Sequence, residues 1–254
     1  QLQTLSRVIN SKNSLPILDC ILFEVADGKL TLTASDKENV MTVVLALDAC
    51  EGTGAFALPK NMVLDAVKEL PEQPLAFDVN EQTYALSLYY QNGVYQFVAQ
   101  SGAEFPKAKA PEQGVTTLNI AVSVLAENIT RSLFATAQDE LRPVMNGIYF
   151  DLTPDSLAIV ASDGHKLVRN RNFTVKSETP AAFILPSKPA ALLKVMMGKA
   201  DGEAVVSFDN NSARFVIADS TLTCRLIEGR YPNYNSVIPQ DNPNKLTVDR
   251  KAFV

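Results

Sequence analysis

The chain has no tryptophan, one histidine and three cysteines, and no apolar run long enough to cross a bilayer. Each shortage removes a class of function. A single imidazole, His165, supplies no histidine pair for zinc and no HExxH helix, and it leaves Ser-His-Asp chemistry without a spare base. Cys20, Cys50 and Cys224 are odd in number and widely spaced, so neither a disulfide framework nor a thiolate zinc site is indicated, and reduced thiols are expected. A membrane helix needs about 18 consecutive apolar residues. Nothing approaches that length, and the N-terminus shows no basic region followed by an apolar stretch and a small-residue cleavage site. The chain therefore reads as cytoplasmic, with no membrane partner. Gly52-Thr53-Gly54 lacks the Gly-Lys-Ser/Thr that would complete a phosphate loop. Cations are not in excess either: 23 Lys and Arg stand against 28 Asp and Glu, a net charge of −5. That excludes a wholly cationic nucleic-acid binder but leaves room for a locally basic face. What is present is 46% hydrophobic residues over 254 positions, enough to build the core of one large domain or two ordinary ones. The composition points away from catalysis, and neither a metal nor another cofactor is expected.

The most informative feature is an internal repeat. Leu15 to Met41 lies without a gap over Arg142 to Val168, at an offset of 127 residues. Seven positions are identical, namely Pro16/Pro143, Ile21/Ile148, Phe23/Phe150, Leu30/Leu157, Ala34/Ala161, Ser35/Ser162 and Asp36/Asp163. The same offset carries Ala55-Phe56-Ala57-Leu58-Pro59 onto Ala182-Phe183-Ile184-Leu185-Pro186, and a shift of one residue brings Phe105-Pro106 onto Tyr231-Pro232.

Inside each copy apolar residues alternate: Ile21, Phe23, Val25 and Leu30, Leu32, Ala34 flank Asp27-Gly28, while Ile148, Phe150, Leu152 and Leu157, Ile159, Ala161 flank Pro154-Asp155. These are β-hairpins with one buried face. After Pro59 and Pro186 the spacing turns helical, through Met62, Val63, Ala66, Val67 and Leu70 in the first copy and Ala191, Leu192, Val195 and Met196 in the second, which Gly198 can end. Strands are expected at 76–79, 85–90 and 94–100, and again at 204–209, 213–218 and 221–227. A strand over 117–122 leads into a helix over 123–137 whose face carries Leu125, Ile129, Leu133 and Phe134, and its counterpart in the first copy is Leu2 to Ile9. Lys245 to Val254 resembles the stretch from Thr117, as though a third copy begins there. The fold class is α+β, in units 1–115 and 116–241 with the start of a third at 242–254. Three such units need roughly 380 residues, which suggests a truncated chain lacking the strand before Leu2.

On these residues the chain resembles the bacterial sliding clamp family, the β subunits of DNA polymerase III. LPIL at Leu15 to Leu18, ADGKLTLTASD at Ala26 to Asp36, NGIYFD at Asn146 to Asp151, ASDGHKL at Ala161 to Leu167 and EGRYPNY at Glu228 to Tyr234 carry the likeness. The resemblance implies repeated clamp domains in a head-to-tail homodimer ring, with antiparallel sheets outside and helices lining the interior. Duplex DNA then passes through the ring and is held by topology without reading of sequence. The implied partners are the polymerase III alpha subunit, the clamp loader, other polymerases and mismatch-repair proteins, each docking through a short linear motif. Carried over by position, the cleft for that motif uses Arg142, Met145, Ser162, Gly164, His165, Lys166, Leu167, Pro232 and Val237. Leu167, Pro232, Val237 and Met145 supply apolar walls, and Arg142, Ser162 and Lys166 orient the peptide backbone. Met145 and Lys166 stand where Leu and Arg occur in well-known members, and Ser236 where a basic residue occurs, which alters partner preference.

Residues 1–18 contain no acid but include Arg7 and Lys12, and the stretch between Glu178 and Asp201 has none but includes Lys188, Lys194 and Lys199. With Ser187, which replaces a residue often basic in the family, these are the expected DNA-facing positions. Two other classes compete with this reading. One is an enzyme using Asp163, His165 and Asp36 between the copies; the other is a duplicated protein-interaction module that does not act on DNA.

Overall fold

The computed structural model describes residues 1–198 and 200–254. The first unit comprises α1 (Leu2–Ser6), β1 (Cys20–Ala26), β2 (Lys29–Ser35), β3 (Asn39–Ala46), β4 (Gly54–Pro59), α2 (Lys60–Lys68), β5 (Ala76–Val79), β6 (Ala85–Tyr90), β7 (Gly93–Val98) and a two-residue β8 (Gln100–Ser101). The second comprises β9 (Thr116–Ala121), α3 (Val122–Leu133), β10 (Gly147–Leu152), β11 (Leu157–Ser162), β12 (Leu167–Asn172), β13 (Ala181–Pro186), α4 (Ser187–Met197), β14 (Glu203–Phe208), β15 (Ser212–Ile217) and β16 (Ser220–Arg225). A final turn of helix, α5, spans Arg250–Phe253. The repeat persists beyond the identities: β1 to β4, α2 and β5 to β7 fall on β10 to β13, α4 and β14 to β16 at the same 127-residue offset.

The repeated packing has a chemical cause. Phe23 stacks on Phe56 with ring centroids 5.1 Å apart, and Phe150, their counterpart, stacks on Phe183 at 4.5 Å. Each pair welds the central hairpin to the strand that precedes the helix, through β1–β4 and β10–β13 ladders that register Phe23 opposite Phe56 and Phe150 opposite Phe183. The hairpins turn differently. Asp27 and Gly28 both have positive φ, 52° and 70°, the left-handed pair that matches strand twist in a two-residue turn. The second copy uses a longer loop in which the Thr153 hydroxyl donates to the Ser156 carbonyl at 2.9 Å.

Three sheets result: β8-β4-β1-β2-β3-β16-β15-β14-β9, β12-β11-β10-β13 and β5-β6-β7. The nine-stranded sheet crosses from one unit to the other where β3 pairs antiparallel with β16, from Val43 opposite Ser220 to Asn39 opposite Cys224. The helices form a row in which α2 touches α1, α1 touches α4 and α4 touches α3. A single large core, including Leu5, Ile21, Phe23, Leu125, Ile129, Phe150, Leu193 and Phe215, lies between helices and sheets. A smaller cluster of Ala158, Val160, Ile184 and Tyr231 covers the other face of β10–β13.

Several boundaries differ from the sequence pattern. The helix expected over 123–137 stops at Leu133, because the Ala135 amide donates to Ser132 O and the Thr136 amide to Leu133 O, tightening the last turn. Phe134, expected on the buried face, is 65% exposed. Leu70 lies beyond α2, and the first helix ends at Ser6 with Arg7 and Val8 in a further turn. Ala191 points outward on α4, where Leu192, Leu193 and Met197 are buried. The strand suggested by the likeness of 245–249 to Thr117 onward is absent; that stretch is exposed coil, followed by α5 with Asp249 capping the Ala252 amide at 2.8 Å. Among the described residues no helix is long and apolar enough to cross a membrane.

Candidate functional site

The ASDGHKL segment builds a self-contained loop between β11 and β12. Asp163 Oδ1 accepts the backbone amides of His165 and Lys166, both at 2.9 Å, and its other oxygen pairs with the Lys166 ammonium. Ser162 Oγ donates to the Lys166 carbonyl at 2.8 Å and accepts from the Gly164 amide at 3.1 Å. The Lys166 ammonium, helped by those amides, holds the Asp163 carboxyl well below the usual carboxylate range. Gly164 has φ +92°, and a Cβ there would stand 3.0 Å from Arg142 Nη1. The backbone is what favours glycine here; the guanidinium tip lying over it would need to shift only slightly to admit a side chain. His165 is exposed on this loop.

Arg142 is held from the other side by Asp139, with Nε donating at 2.8 Å, and the pairing lowers the Asp139 carboxyl. Asp139 is itself fixed by Asn146, whose side chain accepts the Asp139 amide at 2.9 Å and donates to its carbonyl at 3.0 Å. Met145, in the 3-10 turn Pro143–Met145, is buried and accepts the Ala137 amide. Arg142 thereby lies over Gly164 of the Ser162–Leu167 loop, and Met145 follows in the turn before β10.

Pro232 and Val237 come from the segment after β16, which lies across the outer face of that sheet. Tyr231 stacks flat on Tyr149 at 4.7 Å, the Tyr234 hydroxyl donates to Asp151 Oδ2 at 2.8 Å, and Arg169 donates to Asn235 Oδ1 at 3.0 Å. Burial, reinforced by Asp151, pushes the Tyr234 phenol up to about 12. The Tyr231 hydroxyl is buried with no hydrogen-bond partner among the described residues, and burial pushes it to about 12 as well. Val237, in the 3-10 turn Tyr234–Val237, is 66% exposed. Of the residues that place this segment, Tyr149, Asp151 and Tyr234 lie in the NGIYFD and EGRYPNY stretches without being expected at the site, and Arg169 carries no signal in the sequence. A cavity of about 480 Å³ is lined in part by Tyr149 and Tyr231, and one of about 780 Å³ lies further off; none of the nine expected cleft positions lines either.

The expected DNA-facing residues divide. Arg7 caps α1 and Lys12 follows it, both exposed; Lys194 is exposed in the last turn of α4. Ser187 opens α4 and carries no charge. Lys199 lies outside the described residues. Lys188 departs from expectation, because its ammonium is engaged within the chain: it donates to Val8 O at 2.9 Å and Asn10 Oδ1 at 2.6 Å, and pairs with Asp36. Asp36 and Asp163 are therefore committed to separate loops and separate cations, which leaves no shared site with His165 for the enzymatic alternative. Among the described residues no group of three His, Cys, Asp or Glu is placed to hold a metal ion.

Comparison with known proteins agrees with this architecture. Residues 1–108 match the N-terminal domain of the DNA polymerase III beta subunit, and residues 119–233 its central domain. The beta sliding clamp of Synechococcus elongatus is 31% identical over 260 residues, covering the whole of this chain and 68% of the relative, and that of Escherichia coli K12 is 28% identical over 246 residues, covering 96% and 66%. Two DnaN sliding clamps solved with griselimycin bound superpose closely. The one from Pseudomonas aeruginosa has a TM-score of 0.88 at 26% identity, covering 95% of this chain and 65% of that one; the one from Bartonella birtlesii has 0.89 at 27%, covering 99% and 69%. The chain thus spans about two thirds of the length of the relatives it matches. Duplicated units, a shared sheet, a row of helices and this similarity lead to one conclusion: the chain belongs to the DNA polymerase III beta subunit, or beta sliding clamp, family.

Proposed function

We propose that the protein is a non-catalytic sliding clamp that encircles duplex DNA as a ring homodimer and tethers the replicative polymerase. The observation that supports this most is the continuous sheet through β3 and β16 with the helix row α2-α1-α4-α3 packed against the sheets. Such an arrangement gives an arc with a helical inner side. Arg7, Lys12 and Lys194 put separated positive charges on that side, with Ser187 as a neutral gap. Spaced point charges attract phosphate without the bidentate base contacts that would stop a sliding ring. The units run 1–115 and 116–241, and 242–254 begins a third.

The cleft is the docking place for short linear motifs from the polymerase III alpha subunit, the clamp loader, other polymerases and mismatch-repair proteins. Met145, Leu167, Pro232 and Val237 receive apolar side chains, while Arg142, Ser162, Gly164, His165 and Lys166 form the polar rim. The test of the clamp reading is retention on DNA. Full-length protein loaded on a closed circle should remain bound at a salt concentration that releases it from the same DNA once linearised. Equal loss from both forms would overturn encirclement and favour an interaction module that does not act on DNA.

A further inference from the structure

The two units touch in two layers. In the sheet layer they are joined by the β3–β16 ladder, five residue pairs long. In the helix layer α1 packs on α4 within the shared core, and Lys188, the second residue of α4, reaches out of its own unit. Its ammonium bonds Val8 O and Asn10 Oδ1 in the turn after α1, and Asp36 in the loop after β2. The Asp36 side chain is only 4% exposed, and its other oxygen holds the amides of Glu38 and Asn39 at 3.0 and 2.7 Å. The turn that receives Lys188 is also held from within the first unit, since Lys60 Nζ donates to Ile9 O at 3.4 Å. Lys60 opens α2 as Ser187 opens α4, so both helix starts converge on the same run of carbonyls.

The ladder and the apolar core that both units share resist separation, but neither is directional enough to fix roll about the strand axis. A directional polar contact in the helix layer restricts that freedom, and it does so here with a cation whose three acceptors all belong to the neighbouring unit. We infer that Lys188 is a positioning residue: a latch that fixes the angle between the two units, with its charge spent on that angle and not on phosphate. Lys194, exposed on the same helix, has no such acceptors among the described residues.

The experiment measures the angle directly and involves no DNA, so it can fail or succeed independently of the clamp reading. In full-length protein carrying Cys50→Ser, spin labels are placed at Lys29→Cys and Asp155→Cys, exposed positions in the two units, with Cys20 and Cys224 buried. The inter-label distance distribution is recorded with and without Lys188→Met, which keeps the aliphatic stem. Asn10→Ala, which removes one surface acceptor, is a milder second variant that does not endanger folding. The distribution should broaden in Lys188→Met and, to a smaller extent, in Asn10→Ala. Unchanged widths in both would overturn the latch. A companion measurement on DNA separates the alternative: the log–log salt dependence of retention should keep its slope in Lys188→Met, whereas unchanged widths with a slope smaller by about one would make Lys188 a phosphate contact.

Discussion

Asp36 and Asp163 occupy the same place in the two copies and cap their own loops in the same way, yet their second oxygens serve different cations. Asp36 takes Lys188 from the neighbouring unit, and Asp163 takes Lys166 from its own loop. The repeated Ala-Ser-Asp was visible in the sequence because capping is local, needing only amides two and three residues onward. The cation was not visible, since Lys188 reaches Asp36 only through tertiary packing. The residues of the proposed cleft show the same divide. The rim formed by Ser162 to Lys166 is contiguous and legible, but its pinning by Arg142, Asp139 and Asn146 depends on a 3-10 turn that no periodicity announces. Leu167, half-buried at the start of β12, is where an inserted apolar side chain should be felt most. In full-length protein, Leu167→Ala should weaken binding of a clamp-binding peptide by about 1–2 kcal/mol, roughly tenfold in Kd, with the melting temperature little changed. A fluorescence titration checks this, and unchanged affinity would move the cleft elsewhere.

Elements with period-two alternation were read to within a residue or two, because a half-buried strand writes its face into the sequence. Helix ends were overextended for a definite reason. Ala135 and Ala137 are buried although they follow α3, so the apolar pattern continues after the helix has stopped. β12 is hidden in the sequence by Arg169 and Arg171, which interrupt it, and β3 by a run from Asn39 to Ala46 that does not alternate. The segment over the outer face of β10–β13 has no strand or long helix to anchor it and depends on side chains. Tyr234→Phe removes its bond to Asp151, a hydrogen bond to a charged acceptor. The expected result is faster amide exchange confined to residues 228–237, corresponding to about 1–3 kcal/mol of local opening free energy. Exchange at the wild-type rate would mean that the Tyr149–Tyr231 stack and the Arg169–Asn235 bond suffice to hold the segment.

At the scale of the whole molecule, protons on buried and half-buried thiols and phenols bear on stability at high pH, Tyr149 among them. Burial raises Cys20 to about 11 and Cys224, Tyr231 and Tyr234 to about 12, from ordinary values of 9.0 for the thiols and 10.0 for the phenols. Each group keeps its proton longer when folded, so its contribution is complete below the unfolded value and is lost as pH rises towards the folded one. The melting temperature should therefore hold up to about pH 9 and fall progressively towards pH 12, with Cys224→Ala flattening the early part of the decline. A melting curve unchanged between about pH 8 and 11 would contradict this. The nine-stranded sheet is the feature least legible in the sequence, because its central seam joins Asn39 to Cys224, strands from opposite ends of the chain. That seam also sets an order of events during synthesis. Until β16 leaves the ribosome, β3 presents Asn-Val-Met-Thr-Val-Val-Leu-Ala as an uncapped, uncharged edge, the kind of strand that pairs with copies of itself. The first unit alone is therefore expected to aggregate more readily than the two units together, which light scattering of residues 1–115 beside the whole chain checks.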